Sequence, residues 1–259
     1  MNGARLGTWS LAPNAPDTLQ YDLDWAQSEQ GRPLSLSLPF TPGNAPHRGE
    51  KVRAYFENLL PDSKDIRERL ARRFKTGSTD AFELLAEIGR DCVGALEILP
   101  EGQASAGIAA VQAEPLGEAQ VAQVLRSATT PHAMGWGSED DDFRISIAGA
   151  QEKTALLWYK ENWCRPLGTT PTTHIFKLPM GQMPGGIDLS TSVENEWLCH
   201  TLLQAFEIPV AKAEIVQFGE MKALCVERFD RRWTANGRLV RLPQEDFAQV
   251  FGVPPDVKY

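Results

Sequence analysis

Residues 144–157 read RISIAGAQEKTALL. Ile145 and Ile147 alternate with Arg144 and Ser146, which predicts a half-buried strand, and the apolar run after Lys153 predicts a second. Between the two runs stand Ala148, Gly149 and Ala150, then Gln151, Glu152 and Lys153. A glycine-bearing turn between antiparallel strands lets backbone N–H groups approach phosphate oxygens, because no side chain blocks the way. The plainer alternative is an ordinary turn glycine. Alternation sets Ser146 opposite the two isoleucines, so its plain reading is a solvent-facing serine.

The downstream segments give the turn its context. KTALLWY (153–159), WCRPLG (163–168) and THIFKLP (173–179) read as successive strands. Lys177 lies among apolar neighbours on the last of them and needs a polar partner. The segment STSVENEWLCHTLLQAF (190–206) is the strongest helix pattern in the chain. Ser190 or Thr191 can cap it, and Val193, Trp197, Leu198, Leu202 and Ala205 form its expected buried stripe. Glu196, off that stripe and one turn past the cap, is the best partner for Lys177, and Glu194 is the rival. AEIVQF (213–218) and KALCVERF (222–229) make a hairpin around Gly219, and LPQEDFAQVFG (242–252) begins a helix. A glycine turn, a strand lysine and a helix acid in this order follow the logic of a kinase amino-terminal lobe. Neither GxGxxG nor GxxxxGK[ST] is present.

The first hundred residues have a different pattern. RPLSLSLPF (32–40) alternates leucine with serine and predicts a half-buried strand. VRAYFENLL (52–60) and KDIRERLARRF (64–74) are helices separated by Pro61, the second capped by Ser63. AFELLAEIG (81–89) is a helix ended by Gly89, and CVGALEILP (92–100) reads as a strand. Residues 101–115 read as a linker with one short strand, and EAQVAQVLRSA (118–128) as a short helix. Asp140, Asp141 and Asp142 read as a solvated acidic turn. RRW (231–233) reads as a solvated loop, with phosphate binding or stacking as its alternative.

A chain of 259 residues can bury a core without staples. A net charge of −8 argues against a broad non-specific nucleic-acid footprint. The four cysteines, Cys92, Cys164, Cys199 and Cys225, form no CxxC pair, which fits free thiols in a reducing compartment. No apolar run approaches 18 residues, so the expectation is a cytoplasmic protein with no membrane partner.

Several segments together resemble the HipA family, the kinase toxins of HipBA toxin–antitoxin pairs. They are RPLSLSLPF, FENLLPDS, LLAEIGRDCVGA, DFRISIAGAQEKTALL, TPTTHIFKLP, LSTSVENEW, ALCVERFDRRW and RLPQEDFAQVFG, in order along nearly the whole chain. The resemblance implies an α+β fold. A small amino-terminal α/β domain (1–100) and a linker with a short helix (101–142) would precede an antiparallel-sheet, kinase-like amino-terminal lobe with one main helix (143–259). It implies that Ala148, Gly149, Ala150, Gln151, Glu152 and Lys153 form a phosphate-binding loop, with Lys177 on the ATP phosphates. Glu227, Arg228 and Phe229 would be the hinge that contacts adenine through backbone groups. Gln244, Glu245 and Asp246 are expected to line or support the nucleotide pocket. Ser146 matches a loop serine that family members autophosphorylate, where a phosphate would repel the ATP phosphates and push the loop out. The implied cofactors are ATP and Mg²⁺. The implied partners are a HipB-like helix-turn-helix antitoxin, DNA only through that antitoxin, and glutamyl-tRNA synthetase as substrate, with growth arrest and persistence as the outcome.

Two departures qualify this reading. Met1 resembles an internal methionine of the family, so an edge strand ahead of it is expected. The family's catalytic-loop aspartate and asparagine and its metal-binding aspartate have no match here, and are expected beyond Tyr259 with the helical lobe. Asp230, Asp246 and Asp256 have no asparagine at the required offset. The sequence therefore predicts no catalytic residue and no metal ligand within the chain. Two readings stand: the amino-terminal and ATP-binding portion of a kinase toxin, or a catalytically inactive remnant or decoy that only binds antitoxin or nucleotide.

Overall fold

The computed structural model describes residues 1–105, 111–129, 146–149, 151–182 and 185–258. Its amino-terminal part opens with a hairpin that hydropathy did not reveal. Strand β1 (Gly7–Ser10) pairs antiparallel with β2 (Thr18–Tyr21), and β2 pairs with the short β3 (His47–Arg48). A short helix α1 (Leu23–Gln27) follows β2. Helices α2 (Glu50–Glu57), α3 (Lys64–Phe74) and α4 (Ala81–Ile88) complete this part. The core is filled by Leu19, Tyr21, Trp25, Val52, Phe56, Leu60, Leu84, Leu85 and Ile88, with Trp9 stacked on Phe56 at 3.7 Å between ring centroids. Ser63 accepts the Ile66 amide at 3.4 Å and so caps α3.

Two expected strands are absent here. Residues 32–40 make a tight turn with a single bridge between Ser35 and Leu38. Leu34 and Leu38 are buried and Leu36 is exposed, but the serines are not a solvent face. Ser35 donates to Glu245 Oε2 at 2.5 Å, and Ser37 donates to the Gln249 carbonyl at 2.6 Å. Residues 92–100 are irregular as well. The carbonyls of Cys92 and Gly94 accept from arginine side chains instead of from a neighbouring strand. Gly89 stands at the C-cap of α4 with φ −79°, outside the left-handed region. A Cβ there would lie 2.5 Å from the Leu85 carbonyl oxygen and 2.7 Å from Ile98, so close packing, not handedness, requires the glycine.

The second part is built on a six-stranded antiparallel sheet. Its strands are β4 (Ala113–Pro115), β5 (Lys153–Tyr159), β6 (Asn162–Pro166), β7 (His174–Lys177), β10 (Ala213–Phe218) and β11 (Met221–Glu227). The order across the sheet is β10-β11-β7-β5-β6-β4. Helix α5 (Glu118–Thr129) covers one face: Val121, Val124 and Leu125 pack with Leu156, Phe176, Ala223 and Cys225. Two-residue strands β8 (Gly181–Gln182) and β9 (Asp188–Leu189) pair with each other, as do β12 (Arg231–Trp233) and β13 (Leu239–Arg241). Helix α6 (Ser192–Ala205) contacts β10 and β11. Helix α7 (Phe247–Phe251) is closed at its start by reciprocal bonds between Asp246 and Gln249.

Helix α6 departs from its expected stripe. Only Val193 is buried; Trp197, Leu198 and Leu202 are 40%, 50% and 51% exposed, and Ala205 is exposed as well. Apolar residues are spread around this helix, so spacing alone does not say which face is inward. Thr191 stands at its N-cap without a side-chain hydrogen bond, and Ser190 bonds to Asp188. The acidic turn expected at 140–142 lies outside the described residues, as do residues 144 and 145 of the strand expected at 144–147; Ser146 and Ile147 are not in a strand.

Candidate nucleotide site

The site forms on the sheet face opposite α5. Lys153 and Lys177 are directly paired across β5 and β7, so both project from one face. Lys177 Nζ lies 2.5 Å from Glu196 Oε1 on α6. Glu194, the rival, pairs with Lys222 instead. His200, one turn along α6, lies 3.9 Å from Glu196. Glu196 is thus the direct ion-pair partner of Lys177, with Lys153 on the same face. The Lys153 ammonium is pushed down to about 8, first by burial and then by Lys177, with Asp62, Glu152 and Glu196 opposing.

The loop before β5 is docked on the amino-terminal part. Gly149 has φ 112°, which favours glycine, and a Cβ on it would sit 2.9 Å from Lys153 Nζ. The Gly149 carbonyl accepts from the Asp62 amide at 3.3 Å. Ser146 is buried, donates to the Leu59 carbonyl at 2.6 Å, and its amide donates to the Asp91 carbonyl at 3.3 Å. The plain reading of Ser146 as solvent-facing is therefore corrected. Gln151 donates to the Leu178 carbonyl at 2.6 Å, and Glu152 is paired with Arg69 of α3. Ala148 is half-buried beside Gly149, and Ala150 lies outside the described residues.

At the far end of β11, Glu227 is exposed and pairs with Lys212 at 3.3 Å. Phe229 is 70% exposed, and its amide has no hydrogen-bond partner among the described residues. Arg228 between them is buried and turns away from solvent. It bonds to Asp91, Asp230, Thr172 and the Cys92 carbonyl. Arg231 joins this cluster and is buried, which corrects the reading of RRW as a solvated loop; Arg232 and Trp233 are exposed. Gln244, Glu245 and Asp246 sit where the chain returns to the amino-terminal part. The Gln244 backbone lies against Gly94, Glu245 binds Ser35 and Leu36, and Asp246 caps α7.

These residues fit a polyphosphate and a base. The facing lysines want an anion, the loop glycine allows close backbone approach, and the unpartnered Phe229 amide can donate to a ring nitrogen. Among the described residues no group of three or more His, Cys, Asp or Glu is arranged to hold a metal ion. No helix among them is long and apolar enough to cross a membrane. Sequence reasoning missed Arg69, Asp91, Thr172, Arg231 and Arg241. A charged Asp91 heading an apolar run was the one available signal.

A strand lysine held by a helix acid, behind a glycine loop on an antiparallel sheet, is a kinase-like arrangement. The HipA N-terminal domain model matches residues 1–99, and the HipA-like C-terminal domain model matches 145–259. The chain belongs to the HipA family. A Sinorhizobium fredii protein named as a kinase, Y4mE, is 35% identical over 244 residues, covering 92% of this chain and 55% of that protein. The serine/threonine-protein kinase toxin HipA of Shewanella oneidensis is 31% identical over 242 residues, covering 93% of this chain and 51% of the toxin. A solved structure of the Shewanella oneidensis HipA, HipB and operator DNA complex matches with a TM-score of 0.72 at 30% identity, over 98% of this chain and 55% of that one. The chain spans about half the length of these relatives.

Proposed function

We propose that this chain is the amino-terminal and ATP-binding portion of a HipA-like serine/threonine kinase toxin. The observation that carries the reading is the Lys177–Glu196 ion pair on the face that also presents Lys153. In this reading residues 1–100 are the amino-terminal domain, 101–142 the linker, and 143–259 the nucleotide-binding half. Bound ATP supplies the phosphoryl group. Lys177 and Lys153 hold its phosphates, the loop of residues 148–153 approaches them through its backbone, and the Phe229 amide donates to the adenine ring. Glu196 holds Lys177 in place. The Mg²⁺ ligands and the catalytic aspartate belong to polypeptide outside this chain.

The partner is a HipB-like antitoxin, the DNA contact runs through that antitoxin, and the substrate is glutamyl-tRNA synthetase. Phosphorylation of that enzyme in the cytoplasm would arrest growth and promote persistence. Ser146 is the regulatory phosphosite. Its hydroxyl is buried against Leu59, so modification requires the loop to leave its docked position.

The test is a transfer assay with the full-length protein, Mg-ATP labelled at the γ-phosphate, and purified glutamyl-tRNA synthetase. Label should pass to a serine of the synthetase, Lys177→Met should abolish it, and antitoxin should suppress it. Full-length protein that labels neither the synthetase nor itself would contradict the reading.

A further inference from the structure

The hinge is held by the amino-terminal part through one buried carboxylate. Asp91 Oδ2 accepts from Arg228 Nη1 at 3.2 Å, from the Thr172 amide at 3.0 Å and from the Thr172 hydroxyl at 2.6 Å. Asp91 Oδ1 accepts from Arg231 Nη2 at 2.8 Å and from Arg241 Nε at 3.4 Å. The Asp91 carbonyl takes the Ser146 amide, so one residue touches both the hinge network and the loop.

Arg228 spends all five guanidinium donors in this cluster. Nε and Nη2 bond to the two Asp230 oxygens at 3.0 and 2.8 Å. Nη1 serves Asp91 and Thr172, and Nη2 also reaches the Cys92 carbonyl at 3.0 Å. Asp230 Oδ2 in turn accepts the Gly94 amide at 2.7 Å. The Arg228 amide donates to the Thr173 carbonyl at 2.9 Å. Phe229, with its unpartnered amide, thus stands between two residues whose side chains cannot turn. A backbone donor fixed in this way before the base arrives loses little freedom on binding.

We infer that Asp91 is a positioning residue for base recognition, acting through Arg228 to fix the Phe229 amide that meets the adenine ring. The inference rests on the nucleotide-site reading above. It places control of base affinity in the amino-terminal part, away from the sheet that carries the phosphate-binding lysines.

The experiment uses the full-length protein and displacement of a fluorescent ATP analogue by ATP and by inorganic tripolyphosphate, which lacks the base. Asp91→Asn should weaken ATP about tenfold and tripolyphosphate less than about twofold. Thr172→Val leaves every charge in place, and should weaken ATP about threefold with the same selectivity. If Asp91→Asn does not fold, Thr172→Val decides. Equal loss for both ligands, or a folded Thr172→Val with unchanged ATP affinity, would overturn the inference while leaving the nucleotide site intact. Wild-type protein that binds no ATP analogue would remove the nucleotide site and this inference with it.

Discussion

Lys177 and Glu196 meet at 2.5 Å, one from the end of a central strand and the other from the second turn of α6. Lys153 faces Lys177 across the strand pair, which sets two ammonium groups side by side next to the glycine loop. The carboxylate fixes Lys177 and does not cancel both ammonium groups.

Glu196→Gln should lower ATP-analogue affinity several-fold, because the lysine loses its orienting partner but keeps its charge. Glu196 is partly exposed, so the substitution should cost no more than about 1 kcal/mol of stability. Glu194→Gln should leave affinity unchanged, since Glu194 pairs with Lys222. Calorimetric titration of both variants, beside thermal melts, checks these statements.

The pH dependence follows from Lys153. Its folded-state value, about 8, lies below that of the unfolded chain. The fold therefore disfavours the charged lysine at all pH values below about 8, and that cost fades as pH rises from about 8 to about 10.4. Bound polyphosphate should reverse the preference and draw a proton onto Lys153. Analogue affinity should then fall as pH rises from about 7 to about 9, with proton uptake visible as a buffer-dependent binding enthalpy. Lys153→Met should be weaker throughout, and should lose this dependence.

Asp91 also bears on stability, through the buried ion pairs it makes with Arg228, Arg231 and Arg241. Burial alone would raise its carboxyl, but Arg231, Arg228 and Arg241 hold it well below the usual carboxylate range. Its contribution is complete above the unfolded value near about 3.9, and is lost only as pH falls toward the folded one. Asp91→Asn leaves three buried guanidinium groups with too little negative charge, and should cost about 3–5 kcal/mol in denaturant unfolding.

Ser146→Ala should cost about 1–2 kcal/mol, since the Leu59 carbonyl loses its donor in a buried place. Ser146→Asp should act more strongly, because a carboxylate cannot donate to that carbonyl. Amide exchange should rise at residues 59–62 and 146–152 in Ser146→Asp, with weaker analogue binding.

Much of the architecture is legible in the sequence. The periodicity of residues 52–60, 64–74 and 118–128 marks helices α2, α3 and α5, and the apolar run after Lys153 marks β5. The order of loop, strand lysine and helix acid points to the residues that meet at Lys177. The rest escapes for physical reasons. Leu34, Leu36 and Leu38 alternate as in a strand, yet the serines between them serve α7, more than 200 residues away. The apolar residues of α6 surround the helix, and no spacing rule could say that Trp197 and Leu198 stay exposed. The buried cluster around Arg228 joins Asp91 to arginines 137, 140 and 150 residues later, a pairing that local pattern does not encode.

The central claim is tested most directly by calorimetric titration of the full-length protein with a non-hydrolysable ATP analogue and Mg²⁺, beside Lys177→Met. The account predicts one saturable site in the wild type and at least about tenfold weaker binding in the variant, with the ligand-free melting temperature unchanged. Equal affinity in the two proteins, or no binding by the wild type, would contradict it.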